Sequence, residues 1–142
     1  MTGVSQQELK IDRTLAAPRA EVWKYFTEPE HLSKWWGPPT MHTPQENITI
    51  DLRPGGTYTI TMVDEEGGEA RSSMSIDELR APELIVFGLG DGEGQVTMEL
   101  VDKGEQTLLT SVFRGEAPAE ALADLEAASK YQLDKLKSLF VQ

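Results

Sequence analysis

Turn signals recur through the middle of this chain so often that ordinary helices have no room there. Between residues 46 and 114 stand Pro54-Gly55-Gly56, Glu66-Gly67-Gly68, Ala81-Pro82, Gly90 to Gly94 and Lys103-Gly104. Breaks at this frequency suit strands, which average about 5–6 residues, and they delimit six of them. Tyr58, Ile60 and Met62 alternate with Thr57, Thr59 and Thr61, while Val96, Met98 and Leu100 alternate with Gln95, Thr97 and Glu99. That is the period of a strand with one packed face, and successive strands of this kind form antiparallel hairpins. Leu9, Ile11, Arg13 and Leu15 repeat the pattern over residues 7–15 and bring the expected sheet to seven strands.

The flanks read differently. Pro18 suits the first turn of a short helix that gathers Val22, Trp23 and Phe26 on one side. Thr27 followed by Glu30 has the spacing of a capping box for a second short helix, with Leu32, Trp35 and Trp36 on one face and Gly37-Pro38-Pro39 as its stop. Ala117 to Phe140 contains no glycine and, after Pro118, no proline, so one long helix is expected to end the chain. Leu122, Leu125, Ser129, Leu133, Leu136 and Phe140 recur on it at steps of three and four, a stripe that must lie on something apolar. Glu120, Asp124 and Glu126 precede Lys130, Lys135 and Lys137, the order the helix dipole favours. The fold class is therefore α+β: a curved antiparallel sheet with two short helices and a long C-terminal helix over its concave face, in a single domain spanning 1–142.

Charge narrows the partners. Against 24 Asp and Glu stand 13 Lys and Arg, a formal charge of −11, and the basic residues form no stripe. Such a chain repels phosphate backbones, so nucleic acid is not an expected partner. Without cysteine, disulfides, thiolate metal sites and a cysteine nucleophile are excluded. The start MTGVSQQELK has no secretory character, and the longest aliphatic or aromatic run, Leu84 to Phe87, cannot span a bilayer. A soluble, cytoplasmic protein with no membrane span is expected.

Several motifs together resemble a known family. Ala17-Pro18, Glu21-Val22-Trp23, Pro29-Glu30-His31-Leu32, Trp35-Trp36-Gly37-Pro38, Asp51-Leu52-Arg53-Pro54-Gly55-Gly56, Glu78, Pro82-Glu83-Leu84 and Leu133-Asp134-Lys135-Leu136 occur in the order seen in homologues of the activator of heat-shock protein 90 ATPase. These AHSA-like proteins are a branch of the START and birch-pollen-allergen superfamily, SRPBCC. The resemblance implies a helix-grip fold, with a seven-stranded sheet wrapped around the last helix and a deep, mostly apolar cavity between them. The family often has a Gly-Trp pair in that helix. Ala128 and Ser129 stand there instead, and the smaller residue is expected to enlarge the hollow.

On this basis the expected function is binding of an apolar or amphipathic small molecule between helix and sheet. The residues expected to line the site are Trp36, Tyr58, Met62, Met74, Met98, Ser129 and Leu133. Methionines pack adaptably around varied guests, and the hydroxyls of Tyr58 and Ser129 need partners if buried. The adjacent indoles of Trp35 and Trp36 are expected to diverge, one packing inward as a plug and one near the surface at the cavity mouth. A homodimer through exposed aromatic surface near Trp36 is a further expectation.

An enzyme of cyclase, dehydratase or hydrolase type, moving protons with Tyr58, His42, Glu46 or Glu78, is the alternative. Chaperone contact, suggested by the family name, is disfavoured in a lone domain. No cofactor is expected. Nor is a metal, because Glu28 and His31 supply one helical pair where a site needs three or four ligands. The alternating glycines Gly88 to Gly94 lack the order of a dinucleotide fingerprint and read as a hairpin loop at the cavity rim. Asp64, Glu65, Glu66 and Glu69 surround a Gly-Gly turn without calcium-loop spacing and read as solvated. Arg53 is expected to pair with a nearby carboxylate.

Overall fold

The computed structural model describes residues 4–89 and 94–140. The chain opens with β1 (Val4–Leu15), turns through α1 (Arg19–Thr27) and α2 (Pro29–Leu32), and makes the two-residue β2 (Met41–His42) and a 3-10 turn at Gln45–Asn47. It then runs through β3 (Ile48–Ile50), β4 (Thr57–Asp64), β5 (Glu69–Arg80), β6 (Leu84–Gly88), β7 (Gln95–Asp102) and β8 (Thr107–Pro118) into α3 (Ala119–Ser138). One antiparallel sheet results, in the order β1-β8-β7-β6-β5-β4-β2, with β3 also paired to β4. All six strands expected between residues 46 and 114 form. The eighth is β2, in a segment read as a loop, where only Met41 and His42 pair, with Asp64 and Val63.

Register explains why one face of this sheet is apolar from edge to edge. Leu9 lies opposite Phe113, Phe113 opposite Val96, Val96 opposite Phe87, and Phe87 opposite Ile76. The next row runs Ile11, Ser111, Met98, Ile85. Because side chains alternate between faces, these rows fix which residues of every strand look inward. Beyond the bulge between Ile76 and Glu78, the same face continues through Met74, Tyr58, Ile60 and Ile48.

Two covers share this face. The long helix α3 packs on β1 and β8, while α1 reaches β7 and α2 reaches β3. Leu133, Leu136 and Phe140 are buried, whereas Leu122 and Leu125 are only partly so. Full burial of a leucine stabilises by about 1.5–3 kcal/mol, so the C-terminal half of α3 is its anchor. On the outer side of α3, Glu126 and Lys130 form an i,i+4 ion pair at 3.0 Å.

The short helices differ from expectation in detail. Thr27 does not cap α2. Its Oγ1 donates to the Trp23 carbonyl inside α1, and Glu28 occupies the cap position without a side-chain bond. A threonine that can bond the carbonyl four residues back has an alternative to capping, and here it takes it. With Pro29 at its first position, α2 closes after four residues, so Trp35 and Trp36 lie in the following turn. Gly37 then adopts φ +114°, a conformation that favours glycine.

Candidate functional site

Between α3 and the sheet lies a cavity of about 190 Å³. Its floor is made of Leu9, Ile11, Met74, Phe87, Val96, Met98, Ser111 and Phe113, which the two rows of register place side by side. Leu125, Ser129, Gln132 and Leu133 of α3 form the roof, and Trp35 and Trp36 a wall. Among the described residues no lining side chain ionises, and the polar ones are Ser111, Ser129, Gln132 and the two indole N–H groups.

The tryptophans divide the work as adjacent indoles must. Trp35 is 1 % exposed, its Nε1 donates to the Tyr25 carbonyl at 2.8 Å, and its ring meets Phe26 edge-on at 5.1 Å. Trp36 is partly buried, with its ring 5.7 Å from that of Trp35. The buried Thr43 donates from Oγ1 to the Trp36 carbonyl at 3.0 Å and pins the turn that presents this indole. Both rings face the cavity, so the structural plug and the cavity wall are one feature.

Of the seven residues named from the sequence, the structure brings five to the lining: Trp36, Met74, Met98, Ser129 and Leu133. Tyr58 and Met62 are on the correct face of β4 but lie outside the lining. The cause is the second cover. Tyr58, 1 % exposed, donates its hydroxyl to the Phe26 carbonyl of α1 at 2.5 Å and meets Phe87 edge-on at 4.9 Å. Burial pushes its phenol well above the ordinary range, so it stays protonated. Tyr58 therefore buttresses Phe87 from outside the hollow and offers no hydroxyl to a guest. Met62 packs beside Gly37, where an added Cβ would lie 3.4 Å from its sulfur.

The residues proposed for proton transfer do not meet. His42 is exposed on β2, Glu46 is exposed in the 3-10 turn, and Glu78 is exposed and paired with Arg80 at 3.1 Å. His31 Nδ1 stands 3.3 Å from Glu28 Oε1, too poorly aimed for a hydrogen bond, and its ring packs edge-on to Tyr25 at 4.8 Å. Among the described residues, no three His, Cys, Asp or Glu side chains are placed to hold a metal. Asp64 Oδ1 accepts from the amides of Glu66 and Gly68 at 2.9 and 2.7 Å, which makes the acidic turn a self-contained Asx turn. Arg53 pairs with Asp51 at 2.9 Å. Gly90 to Glu93, read as a cavity rim, lie outside the described residues.

Sequence reasoning missed Ser111 and Gln132. Ser111 sits at an inward position of β8, a phase that apolar residues on both faces, Leu108 and Val112 against Leu109 and Phe113, conceal until the register is known. Gln132 precedes Leu133 and follows Ser129 by three, a spacing that puts it beside the apolar stripe.

Residues 16–141 match the family described as Activator of Hsp90 ATPase homolog 1-like protein. Among solved structures, a protein of Nitrosomonas europaea is 24 % identical, with 93 % of this chain and 92 % of that one covered and a TM-score of 0.79. A protein of Chromobacterium violaceum is 23 % identical over 94 % and 97 %, with a TM-score of 0.80. An AHSA1-like protein of Aeromonas hydrophila is 18 % identical over 94 % of each chain, with a TM-score of 0.78. These likenesses concern the fold. No curated protein matches the chain. Among the described residues, no helix is long and apolar enough to cross a membrane.

Proposed function

Because this chain belongs to the Activator of Hsp90 ATPase homolog 1-like family, we propose that it is a binding protein for an apolar or amphipathic small molecule held between α3 and the sheet. The fold of this family generally binds hydrophobic ligands. One observation supports the reading above others: a cavity of about 190 Å³ between α3 and the sheet, lined by apolar side chains and, among the described residues, by no ionisable group. Natural ligand sites are concave and mainly apolar, with a few placed polar groups.

Catalysis by acid–base transfer is the weaker reading, since His42, Glu46 and Glu78 are exposed outside the lining and Tyr58 is committed to Phe26. Chaperone ATPase stimulation has the family description alone behind it. A homodimer through Trp36 is weakened by the turning of that ring to the cavity. The reading takes the protein to be cytoplasmic, which a cysteine-free chain suits.

Native mass spectrometry of the purified protein, followed by protein-observed NMR during titration with small aromatic compounds, tests the proposal. Saturable binding that shifts resonances of Trp36, Met98 and Leu133 is expected. A protein that binds none of them while its cavity proves filled by side chains would end it.

A further inference from the structure

We infer that the cavity suits a neutral guest of about one substituted ring bearing a hydrogen-bonding group, and that Ser111 recognises that group; this rests on the binding reading above. Ser111 stands in the middle of β8, opposite Ile11 on one side and Met98 on the other, in a row that is otherwise apolar. The residue is 8 % exposed and lines the cavity floor, yet its hydroxyl makes no hydrogen bond among the described residues. Among the described residues the one sealed polar side-chain atom without a partner is His31 Nδ1, so the Ser111 hydroxyl is open to the hollow it lines, where a guest can pair it.

The same strand supplies the contrast. Thr107, also inward and buried, donates its hydroxyl to the Ala17 carbonyl at 2.8 Å and so serves the fold. Ser111 has no such task. Ser129 and Gln132, one turn apart on the roof, likewise make no side-chain hydrogen bond among the described residues. Polar groups thus meet a guest from floor and roof, while the rest of its surface meets Trp35, Trp36, Phe87 and Phe113.

Size and charge follow from the same lining. An engineered apolar cavity of about 150 Å³ takes up benzene, so about 190 Å³ accommodates a ring with a small substituent. With no basic side chain among the described lining residues, a carboxylate would lose its hydration without a counter-charge.

The test uses the full chain, its Ser111→Ala variant and two pairs of near-isosteric probes: toluene with phenol, and benzamide with benzoate. Affinities come from ligand-observed NMR titration. The phenol-to-toluene affinity ratio is expected to fall by roughly fivefold in Ser111→Ala, the worth of one hydrogen bond, with toluene itself unchanged. Benzamide is expected to bind at least about tenfold more tightly than benzoate. Toluene binding with an unchanged ratio would overturn the role of Ser111 and leave the binding reading standing. Equal binding of benzoate and benzamide would overturn the neutrality of the guest. Failure of all four probes would remove the binding reading and this inference together.

Discussion

Arg13 on β1 donates from Nε to Oδ1 of Asp134 on α3 across 2.6 Å, joining residues 121 positions apart. Arg13 occupies an inward-phase position shared by Leu9, Ile11 and Leu15, and it escapes burial by reaching the helix edge next to Leu133. This pair and the buried leucines hold the same half of α3. Position 13 thus combines an apolar-face phase with a polar end, as long arginine stems allow.

The hydrogen bond from Arg13, helped by nearby positive charge, holds the Asp134 carboxyl below its usual value of 3.8. A lowered native value means the contribution is complete above the unfolded value and drains away as pH falls through the native one. With Asp134 61 % exposed, solvent limits the pair to about 0.5 kcal/mol. Asp134→Asn is expected to lose that amount near neutral pH and progressively less as pH falls below 3.8, as read by urea midpoints. A loss independent of pH would assign Asp134 a packing role instead.

Tyr58→Phe leaves the Phe26 carbonyl without its donor and is expected to cost about 1–2 kcal/mol in urea unfolding. Probe affinity should change less than about twofold, because the hydroxyl lies outside the cavity. The raised native value also fixes the sign at high pH: the contribution of Tyr58 is whole below its ordinary value of 10.0 and is lost as pH rises through the native one. Above about pH 10 the variant should therefore lose stability less steeply than the parent. A parallel alkaline decline would remove Tyr58 as its source.

Ser129→Phe places a ring into the hollow from the roof. Stability is expected to hold or rise by about 1 kcal/mol, while toluene binding falls at least about tenfold. Thermal melts and the NMR titration report the two effects separately. Retained binding would locate the guest elsewhere.

Gly55 and Gly56 predict unequal consequences from neighbouring changes. Gly55 has φ +84° with open space around it, so Gly55→Ala should cost about 1–2 kcal/mol from backbone conformation alone. At Gly56 a Cβ would fall 1.9 Å from the Asp51 carbonyl oxygen, inside a turn locked to β5 by the Gly55–Ile76 and Ile76–Gly56 hydrogen bonds. Gly56→Ala should cost more than Gly55→Ala, and denaturant midpoints of the two variants should rank accordingly. The reverse order would refute the packing argument.

The succession of elements along the chain and the helix stripe were legible because alternation and turn residues are local signals, as at Tyr58 to Met62 and Pro54 to Gly56. The motifs of the family added the grip of helix on sheet. What local pattern does not encode is which cover lies over which part of a shared face. Met74 and Tyr58 face the same way and are paired in register, yet the lining includes only Met74. Thr27 misled for a similar reason, since its hydroxyl can either accept from an amide of the next helix as a cap or donate to the Trp23 carbonyl behind it, and it does the second. Ser111 became visible only when its neighbours across three strands were known.

The partnership of β1 with β8 also sets an order of events during synthesis. Leu15 aligns with Thr107 and Val4 with Pro118, so the first strand of this sheet to be made waits for its last. The hairpins between them can zip as they emerge, but the amide edge of β1 stays unmatched until then. During that interval the nascent polypeptide exposes an edge open to wrong pairing, and a holdase chaperone would find its opportunity there.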